Sequence, residues 1–377
     1  MRLVVVSHPC VTPVNQAFYG AVERVSGWDL TIVLPRAWRN EYGRQQAERS
    51  EAFSGRLEPL PVVLQGNIPL HVYRARLARV FKQVRPDAVY VHHEPYGLAT
   101  AQAFRAALRA GARSLGFYSA QNLQKRFPWP VSVLESWVYR RADYAFPVSE
   151  RVEQVLRAKG YSARSHVLPL TVEVGSEDEE SRRDRNGPLR VGYVGRLAQE
   201  KGVDSLLEAM SLLGDVDVRA VIAGEGPDRE ALERQARRLR IEDRLEWTGY
   251  VPHDRIEEIY RRLDLVVVPS LTVPNWTEQF GRVVIEALAA GAAVVTSDSG
   301  ELPTLVAETG GGWTFPEGDA AQLAAAIRSS VVDPARLREV AARGRAAVRE
   351  RYAPDVVARQ FVEVVRESVA EPAASGP

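Results

Sequence analysis

The sequence predicts an α/β protein with two domains in tandem, each built on a parallel β-sheet flanked by helices, and three observations lead to this prediction. The chain of 377 residues is long enough for two cores of ordinary size. Hydrophobic residues make up 45% and charged residues 26%, as is typical of a globular protein. Short β-branched runs alternate with helical patterns in two series, and a charged segment without apolar periodicity separates them.

The first series predicts one Rossmann-like domain over residues 1–172. Ser149 is a favoured N-cap residue and opens a helix that reaches about Lys159. Strand, helix, strand in this rhythm indicates parallel βαβ units. The predicted strands cover residues 3–7, 30–34, 88–92, 114–118, 145–148 and 166–168, and the other predicted helices cover residues 71–84, 97–110 and 131–141.

A linker, a second Rossmann-like domain and a final helix are predicted next. Residues 173–188 are charged and aperiodic and form the linker, and the second domain spans residues 189–350. Residues 351–370 form an amphipathic helix, and residues 371–377 form a disordered tail. The strands of the second domain are predicted at residues 189–194, 218–223, 245–248, 265–268, 293–296 and 312–315, and its helices at residues 203–213, 229–240 and 282–290.

Composition excludes several classes of protein. The single cysteine, Cys10, rules out an intramolecular disulfide, indicates a reducing compartment and is expected to be a small core residue. No segment reaches the ~18 consecutive apolar residues of a membrane-spanning helix. The first residues are too few for a signal peptide and predict a strand instead. We therefore expect a cytoplasmic protein.

The net charge of +1 hides an asymmetry between the two halves. Residues 1–170 carry 23 Lys and Arg against 12 Asp and Glu, a net charge of +11. The other 207 residues carry 26 against 36, a net charge of −10. The basic half is either a solvated surface or the side that meets an anionic membrane face or a phosphorylated acceptor.

The segment from Gly195 to Gly202 is a candidate phosphate-binding loop. It follows a predicted strand and precedes a helix, which places it at the carboxyl edge of a parallel sheet, where ligands bind. Gly195 lets a ligand approach the backbone. Arg196 and Lys201 suit a diphosphate, the arginine as a planar fork and the lysine as a point charge. A solvated turn is the alternative interpretation.

Glu278 and Glu286 are candidate carboxylates for holding a ligand. Gly281 lies between them before a helix, whose open N-terminal amides form an anion site. Glu286 interrupts an apolar run, where a carboxylate is costly to bury unless it is hydrogen-bonded, whereas a solvated side chain stays possible for Glu278. Eight helical residues span roughly 12 Å, about the distance from ribose to sugar in a nucleotide sugar. One carboxylate can therefore hold the ribose and the other the transferred sugar.

Taken together, these motifs resemble the retaining family-4 glycosyltransferases, or glycosyl transferases group 1, of the GT-B fold. The resemblance is close over residues 189–317 and loose over the rest of the chain. It implies two Rossmann-like domains facing across a cleft that binds the donor, and a C-terminal helix that returns to the first domain. The motifs that carry it are the segment 195–202, Gly224-Glu-Gly226, the pair Glu278 and Glu286, Gly291, and the segment 297–303.

The resemblance also implies roles for individual residues. Arg196 and Lys201 would bind the donor diphosphate and stabilise the departing charge, and Glu278 would contact the donor sugar, so these three are the predicted catalytic residues. Glu286 would hold the ribose. No metal or other cofactor is expected, because fixed cations and a helix N-terminus meet the developing charge. The other predicted donor-binding residues are Gly195, Gly226, Tyr250, Val251, Phe280, Gly281 and Arg282.

The first half departs from the family pattern. Many relatives carry a glycine pair after the first strand, whereas this chain has Asn15 in a loop from residue 8 to 16. Many also carry a histidine after the fifth strand, whereas this chain has Gln121. Glutamine hydrogen-bonds a sugar hydroxyl but does not titrate, so we expect positioning without a general base. Beyond Asn15 and Gln121, the predicted acceptor-side residues are His93, Glu94 and Asn122.

Other candidate residues leave alternatives open. His93 and Glu94 end a strand and either touch the acceptor or are satisfied structural groups, since too few metal ligands are visible there. Residues 125–129 form a cationic, aromatic lip; nucleic-acid binding is the alternative, but no other segment supports it. Asp215 and Asp217 have the spacing of a metal site, yet they precede a strand, so no metal is expected there.

Three functions are compatible with these motifs. The first is a retaining, metal-independent hexosyltransferase that uses a nucleotide sugar, with a lipid-linked saccharide or polysaccharide as acceptor at the cytoplasmic membrane face. The second is a nucleotide-sugar 2-epimerase of the same fold, against which Glu278 and Glu286 argue. The third is a non-catalytic sugar-nucleotide binding protein, suggested by the altered first loop and the missing histidine.

Overall fold

The computed structural model describes residues 1–40, 43–74, 76–175 and 187–371. The chain divides into two compact units: Met1–Pro169 together with the chain from Pro354 onward, and Leu170–Ala353. The first unit is therefore discontinuous in sequence. The predicted boundaries at residues 172 and 351 each differ from the observed ones by three residues.

The first unit is built on a seven-stranded parallel sheet with the order β11-β10-β9-β8-β1-β2-β5. Two short antiparallel pairs, β3 with β4 and β6 with β7, lie outside it. Its elements in chain order are β1 (Arg2–Ser7), α1 (Val14–Ser26), β2 (Asp29–Pro35), β3 (Ala37–Asn40), β4 (Gly43–Gln46), β5 (Arg56–Leu60), β6 (Val62–Val63), β7 (Val72–Tyr73), α2 (Arg76–Val84), β8 (Ala88–His92), α3 (Leu98–Ala110), β9 (Ser114–Ser119), α4 (Trp129–Tyr139), β10 (Tyr144–Pro147), α5 (Glu150–Ala158) and β11 (Arg164–Ser165).

The second unit is built on a six-stranded parallel sheet with the order β14-β13-β12-β15-β16-β17. The last helix of the chain, α13 (Pro354–Ala370), belongs to the first unit. The elements of the second unit are β12 (Leu189–Val194), α6 (Val203–Ser211), β13 (Val218–Ala223), α7 (Arg229–Leu239), β14 (Leu245–Gly249), α8 (Ile256–Tyr260), β15 (Leu265–Val268), α9 (Arg282–Ala289), β16 (Ala293–Ser297), α10 (Leu302–Thr309), β17 (Gly312–Phe315), α11 (Ala320–Val332) and α12 (Pro334–Arg351).

Helix α13 completes the core of the first unit. Its Phe361 is fully buried, with ring centroids 5.2 Å from Tyr90 and 5.0 Å from Phe146. At its far end, the hydroxyl groups of Ser368 and Ser114 are hydrogen-bonded at 2.6 Å. Within the described chain, no helix is both long enough and apolar enough to span a lipid bilayer.

Each sheet has a point where the chain reverses its direction of strand addition. In the first unit this point lies between β1 and β8, and in the second it lies between β12 and β15. Loops that leave the carboxyl ends of such neighbouring strands diverge and leave a crevice, in which α/β proteins bind ligands. A ligand site is therefore expected at these two edges.

Several predicted elements differ from the observed ones. The helix predicted over residues 71–84 begins at Arg76, because Val72 and Tyr73 pair with β6 instead. Asn15, predicted in a loop, lies in the first turn of α1. Ser149 is the N-cap of α5, but its hydroxyl is buried and makes no capping hydrogen bond.

The predicted linker and tail are described only in part. Residues 176–186 of the linker and 372–377 of the tail lie outside the described residues. The start of the linker belongs to the second unit, where the Gly175 carbonyl accepts a hydrogen bond of 3.0 Å from Arg345. The final helix begins at Pro354 rather than residue 351, because Arg351 still ends α12.

Candidate active site

The phosphate-loop candidate follows β12 in the second unit. Gly195 has φ +150°, a conformation that side chains rarely adopt, and its amide donates to the Ala223 carbonyl at 2.9 Å. A Cβ atom on Gly226 would lie 2.2 Å from the Leu197 carbonyl oxygen. The loops after β12 and β13 therefore approach each other as closely as backbone allows, which requires glycine there.

Lys201 and Glu278 meet at the switch point of the second sheet. Lys201 follows β12 and Glu278 follows β15, and Lys201 Nζ lies 2.9 Å from Glu278 Oε2. The hydroxyl of Ser270 donates to the same oxygen at 3.0 Å. The carboxylate is 13% exposed, so two donors offset its partial desolvation. The Lys201 ammonium also lies 4.3 Å from the centroid of the Trp276 ring.

Glu286 is anchored on helix α9. Its Oε2 accepts a hydrogen bond of 2.9 Å from the Tyr260 hydroxyl, and its Oε1 lies 3.4 Å from His253 Nε2 and 4.0 Å from Arg282 Nε. Burial, together with the Glu286 charge, raises the pKa of Tyr260 well above its ordinary value, so this tyrosine is a fixed donor. The carboxylate is 13% exposed and is thus a held group rather than a solvated one.

Helix α9 begins directly after Gly281, which has φ +89° and ψ +54°. A Cβ atom there would lie 2.6 Å from Leu302 Cδ2, so glycine is required sterically as well as conformationally. Its N-cap residue makes no side-chain hydrogen bond to the first turn. The N-terminus of α9 therefore has no capping side chain and lies between the two carboxylates in sequence, where a helix N-terminus can bind an anion.

The other predicted donor residues of the second unit differ in exposure. Arg196 is exposed, and its carbonyl accepts from the Tyr193 hydroxyl at 2.6 Å. Tyr250 is 51% exposed after β14, beside the half-buried Val251. Phe280 is buried, with its ring centroid 6.1 Å from Tyr352. Its side chain is thus part of the core, and only its backbone is available to a ligand.

Glu94 lies at the carboxyl edge of the first sheet and is hydrogen-bonded within the unit. Its two oxygens accept from the Ser119 hydroxyl at 2.8 Å and the Ala120 amide at 2.7 Å. Burial raises its pKa to about 7, against the lowering effect of these hydrogen bonds. Gln121, also at this edge, donates its side-chain amide to the Leu123 carbonyl at 2.9 Å, and the neighbouring Asn122 is buried.

Asn15 and Cys10 serve the local structure after β1. The Asn15 side-chain amide donates to the Pro9 carbonyl at 2.8 Å, which closes the turn before α1. Cys10 is fully buried, and burial raises the pKa of its thiol to about 12, so it is protonated and unreactive at neutral pH, as a core residue should be.

Three histidines meet at the switch point of the first sheet. His8 follows β1, His93 follows β8 and His71 precedes β7, and one ring nitrogen from each lies within 4.8 Å of the others. Burial lowers the pKa of His93 to about 4, and the neighbouring His71 adds to this effect. Burial also lowers the pKa of His8 and of His71.

Asp215 and Asp217 do not form a metal centre within the described residues. The Asp215 carboxylate makes a two-pronged ion pair with Arg328, at 2.6 and 2.8 Å. The Asp217 carbonyl accepts from the amide of Leu189 at the start of β12. The Asp215 carboxylate is therefore engaged in an ion pair, and Asp217 contributes a backbone hydrogen bond to the start of β12.

Sequence reasoning missed the residues that hold the predicted carboxylates. Ser270 donates to Glu278, and Trp276 contacts the Lys201 ammonium. Both lie shortly before Glu278 in sequence, and a polar or aromatic residue after a predicted strand could have identified them. Tyr260 and His253 precede Glu286 by 26 and 33 residues, and no periodicity connects them with it. His8 and His71 were missed as well, because no sequence pattern connects them with His93. Only His93 stood out in the sequence, since it lies beside a second polar residue at the end of a predicted strand.

Comparisons with known proteins agree with this architecture. The family model described as "Glycosyl transferases group 1" matches residues 176–347, and the one described as "Glycosyltransferase Family 4" matches residues 23–175. The boundary between the two matches lies close to that between the two units. Together the two family models match residues 23–347.

Individual relatives extend the comparison. Glycogen synthase of Mycobacterium tuberculosis (strain ATCC 25618 / H37Rv) is 33% identical over 229 residues, covering 60% of this chain and 53% of that protein. The amylovoran biosynthesis glycosyltransferase AmsK of Erwinia amylovora is 27% identical, covering 60% and 57%. The matches thus span little more than half the length of these curated relatives. The Anabaena HepE structure in complex with UDP-glucose aligns with a TM-score of 0.70 at 18% identity, over 97% of this chain and 100% of that one.

Proposed function

This chain is a member of the glycosyl transferases group 1 with the GT-B fold, and from this premise we propose that it transfers a sugar from a nucleoside diphosphate sugar to a saccharide acceptor. The observation that carries the proposal is the meeting of Lys201 and Glu278 at the switch point of the second sheet, at 2.9 Å. A cation for a diphosphate and a carboxylate for sugar hydroxyls are what such a donor requires.

The second unit is proposed to bind the donor. Glu286 is oriented by the Tyr260 hydroxyl at 2.9 Å and keeps one oxygen 3.4 Å from His253, so it can accept from ribose hydroxyls without reorganising. The diphosphate then lies over the N-terminus of α9, and the sugar reaches Glu278. The HepE structure with UDP-glucose supports a uridine nucleotide as the first donor to examine.

The proposed mechanism depends on electrostatic stabilisation of the leaving group. The bond between the anomeric carbon and the diphosphate oxygen breaks, and its electron pair leaves with the phosphate. The acceptor hydroxyl oxygen bonds to the anomeric carbon, and the hydroxyl proton passes to the departing diphosphate. The charge that develops on the diphosphate is stabilised by Arg196, Lys201 and the amides at the start of α9, which are already in place and need no reorganisation. In such sites each donor lowers the activation free energy by roughly 2.7–4 kcal/mol. These groups need no divalent cation at the diphosphate. Retention of the anomeric configuration is proposed from the family resemblance.

The first unit is proposed to bind the acceptor, as a lipid-linked saccharide or polysaccharide at an anionic membrane face in the cytoplasm. Its net charge of +11 over residues 1–170 favours such a surface. The amylovoran biosynthesis glycosyltransferase among the relatives supports an acceptor in polysaccharide assembly. At the edge of this unit, Gln121 and Asn122 are the proposed contacts to the sugar, with Glu94 behind them.

The test is donor turnover with matched variants. UDP-, GDP-, ADP- and TDP-glucose are screened by thermal shift, and the stabilising donor is then assayed for transfer or slow hydrolysis, with and without added Mg²⁺. We expect Glu286→Gln to weaken donor binding by about 10-fold or more, since hydrogen bonds to charged groups contribute about 1.5–3 kcal/mol. Lys201→Met should instead lower kcat. Glu246→Gln, which removes an exposed carboxylate paired with Arg262, is the control and should change neither.

The products distinguish the candidate functions. Glucose release or transfer supports the proposal, and independence from Mg²⁺ supports the metal-free diphosphate site. An epimerised nucleotide sugar would identify an isomerase of the same fold. A binding protein would bind the donor tightly without turning it over. In that case Lys201→Met would change only the affinity for the donor.

A further inference from the structure

We propose that His8, His71 and His93 form a binding site for a divalent transition-metal ion of the Zn²⁺ class. One ring nitrogen from each side chain lies within 4.8 Å of the other two. Three imidazoles with a fourth position open to water make up one of the coordination spheres that zinc adopts in proteins. All three residues belong to the first unit, and the site is tested by metal binding alone, so the outcome does not depend on the proposed glycosyl transfer.

The hydrogen bonds around the rings leave the metal-facing nitrogens available. His71 Nδ1 lies 2.9 Å from the Ile68 carbonyl, and His93 Nδ1 lies 3.2 Å from the Glu94 carbonyl. A carbonyl only accepts, so both Nδ1 atoms carry the proton and both Nε2 atoms present a lone pair. A backbone carbonyl on the second ring nitrogen is the usual outer partner of a metal-bound histidine.

Two buried nitrogens in this cluster are otherwise unexplained. His93 is 4% exposed, and its Nε2 has no hydrogen-bond partner among the residues that the structure describes; the same holds for His8 Nδ1. Burying an unsatisfied polar atom costs about 1–3 kcal/mol, so native proteins rarely retain two side by side. A shared metal ion would satisfy both lone pairs at once.

The surroundings hold the three rings together. The ring centroids of His8, His71 and His93 are 4.9–5.6 Å apart, and Trp38 closes one side at 4.9 Å from both His8 and His71. Tetrahedral zinc with bonds of about 2.05 Å requires nitrogens roughly 3.4 Å apart. Small side-chain rotations therefore suffice to bring the three nitrogens onto one ion.

The backbone also makes room for His93. A Cβ atom on Gly97 would lie 2.4 Å from His93 Cε1 and 2.5 Å from its Nδ1, so the His93 ring occupies the space that a side chain at this position would need. The Thr100 hydroxyl donates to the Glu94 carbonyl at 2.7 Å and lies 3.3 Å from His93 Nδ1, where it can accept the ring proton. The ion would thus join the segment before β7 to the ends of β1 and β8, at the switch point of the first sheet.

The experiment is metal titration of the full chain without a polyhistidine tag. Chelator-stripped protein is titrated with Co²⁺, whose visible absorption reports tetrahedral or five-coordinate nitrogen ligation, and then with Zn²⁺ in competition. We expect one equivalent per chain with a Kd of about 1 µM or lower and a higher Tm with Zn²⁺. Absence of saturable Co²⁺ and Zn²⁺ binding by the wild-type chain would overturn the proposal whatever the variants do.

Variants assign the binding to these residues. His71→Ala and His93→Ala should each weaken Zn²⁺ binding by at least about 100-fold. Thr100→Val should weaken it by about 10-fold, because the Glu94 carbonyl remains as an outer partner of His93. His166→Gln, in the same unit but outside the cluster, is the control and should bind like the wild type. Circular dichroism should confirm that the His71→Ala and His93→Ala proteins are folded. If these folded variants still bound one Zn²⁺ per chain as tightly as the wild type, the ion would lie elsewhere and the assignment would be overturned.

Discussion

Gly300 shows how closely single residues constrain the candidate donor site. It has φ +56°, and a Cβ atom there would lie 2.0 Å from the carbonyl oxygen of Glu278. The same carbonyl accepts from the Glu301 amide at 3.2 Å. The turn before α10 therefore supports the backbone of the residue that pairs with Lys201.

We expect Gly300→Ala to displace Glu278 and weaken donor binding by at least about 10-fold, while the left-handed conformation adds about 1–2 kcal/mol of destabilisation. Thermal unfolding and donor titration measure the two effects. Gly214→Ala is the matched control, because a Cβ atom at Gly214 meets no heavy atom within 4 Å. If both alanine variants bound the donor equally well, the link between Gly300 and the site would be wrong.

At this scale, sequence reasoning identified the groups that carry charge but not the groups that hold them. Glu286 was predicted to be held because a carboxylate in an apolar run needs a partner, and the structure supplies Tyr260. The partner itself was not predictable, since the two residues meet only through the packing of α8 against α9. His8 and His71 escaped for a similar reason: each is an isolated histidine in sequence, and only the fold brings them beside His93.

At the scale of elements, α13 supplies buried side chains to the core of the first unit. Phe361 lies among the buried side chains of β1, β2, β8 and β10. Phe361→Ala removes most of a fully buried ring, which costs about 3–5 kcal/mol in cores of this kind. Denaturant unfolding followed by circular dichroism should show this loss of stability.

A surface substitution provides the comparison for that measurement. Val332, at the end of α11, is 78% exposed, so Val332→Ala should change the unfolding free energy by less than about 0.5 kcal/mol. Equal midpoints for Phe361→Ala and Val332→Ala would contradict the role given to α13.

The buried parallel strands were the most predictable elements. The runs at residues 189–194, 218–223 and 265–268 have the same ends in the structure, because strands covered on both faces are largely apolar segments bounded by turn residues. The run at residues 312–315 also matches, although β17 is an edge strand in which only Phe315 is buried. The two-residue strands β6, β7 and β11 have no such pattern, and their pairing is decided by neighbouring loops. Helices α11 and α12 carry little apolar periodicity and were not predicted individually.

At the scale of the whole molecule, the division of charge predicts where a membrane would bind. Arg74 and Arg79 are exposed in the first unit, beside the start of α2. The double variant Arg74→Gln/Arg79→Gln should bind phosphatidylserine vesicles about 30-fold more weakly, at about 1 kcal/mol per charge, and the wild-type binding should fall with added salt. Vesicle co-sedimentation measures both.

A variant with the same change in net charge separates local contact from overall attraction. Arg105 and Arg109 are exposed on α3, further along toward the opposite edge of the sheet, so Arg105→Gln/Arg109→Gln should lower the affinity much less. An identical loss in both double variants would mean that only net charge matters. If vesicle binding did not depend on the anionic lipid content, this would count against a membrane-bound acceptor.

The discontinuity of the first unit has a consequence for synthesis on the ribosome. The sheet face that carries Tyr90 and Phe146 emerges long before α13, which begins at Pro354 after the entire second unit has been made. At about 5–20 residues per second, this interval lasts on the order of ten to forty seconds. The second unit, continuous in sequence, can complete its core within that time. A nascent chain arrested before Pro354 should therefore present an uncovered apolar face. The first unit begins to be synthesised first but completes its fold last.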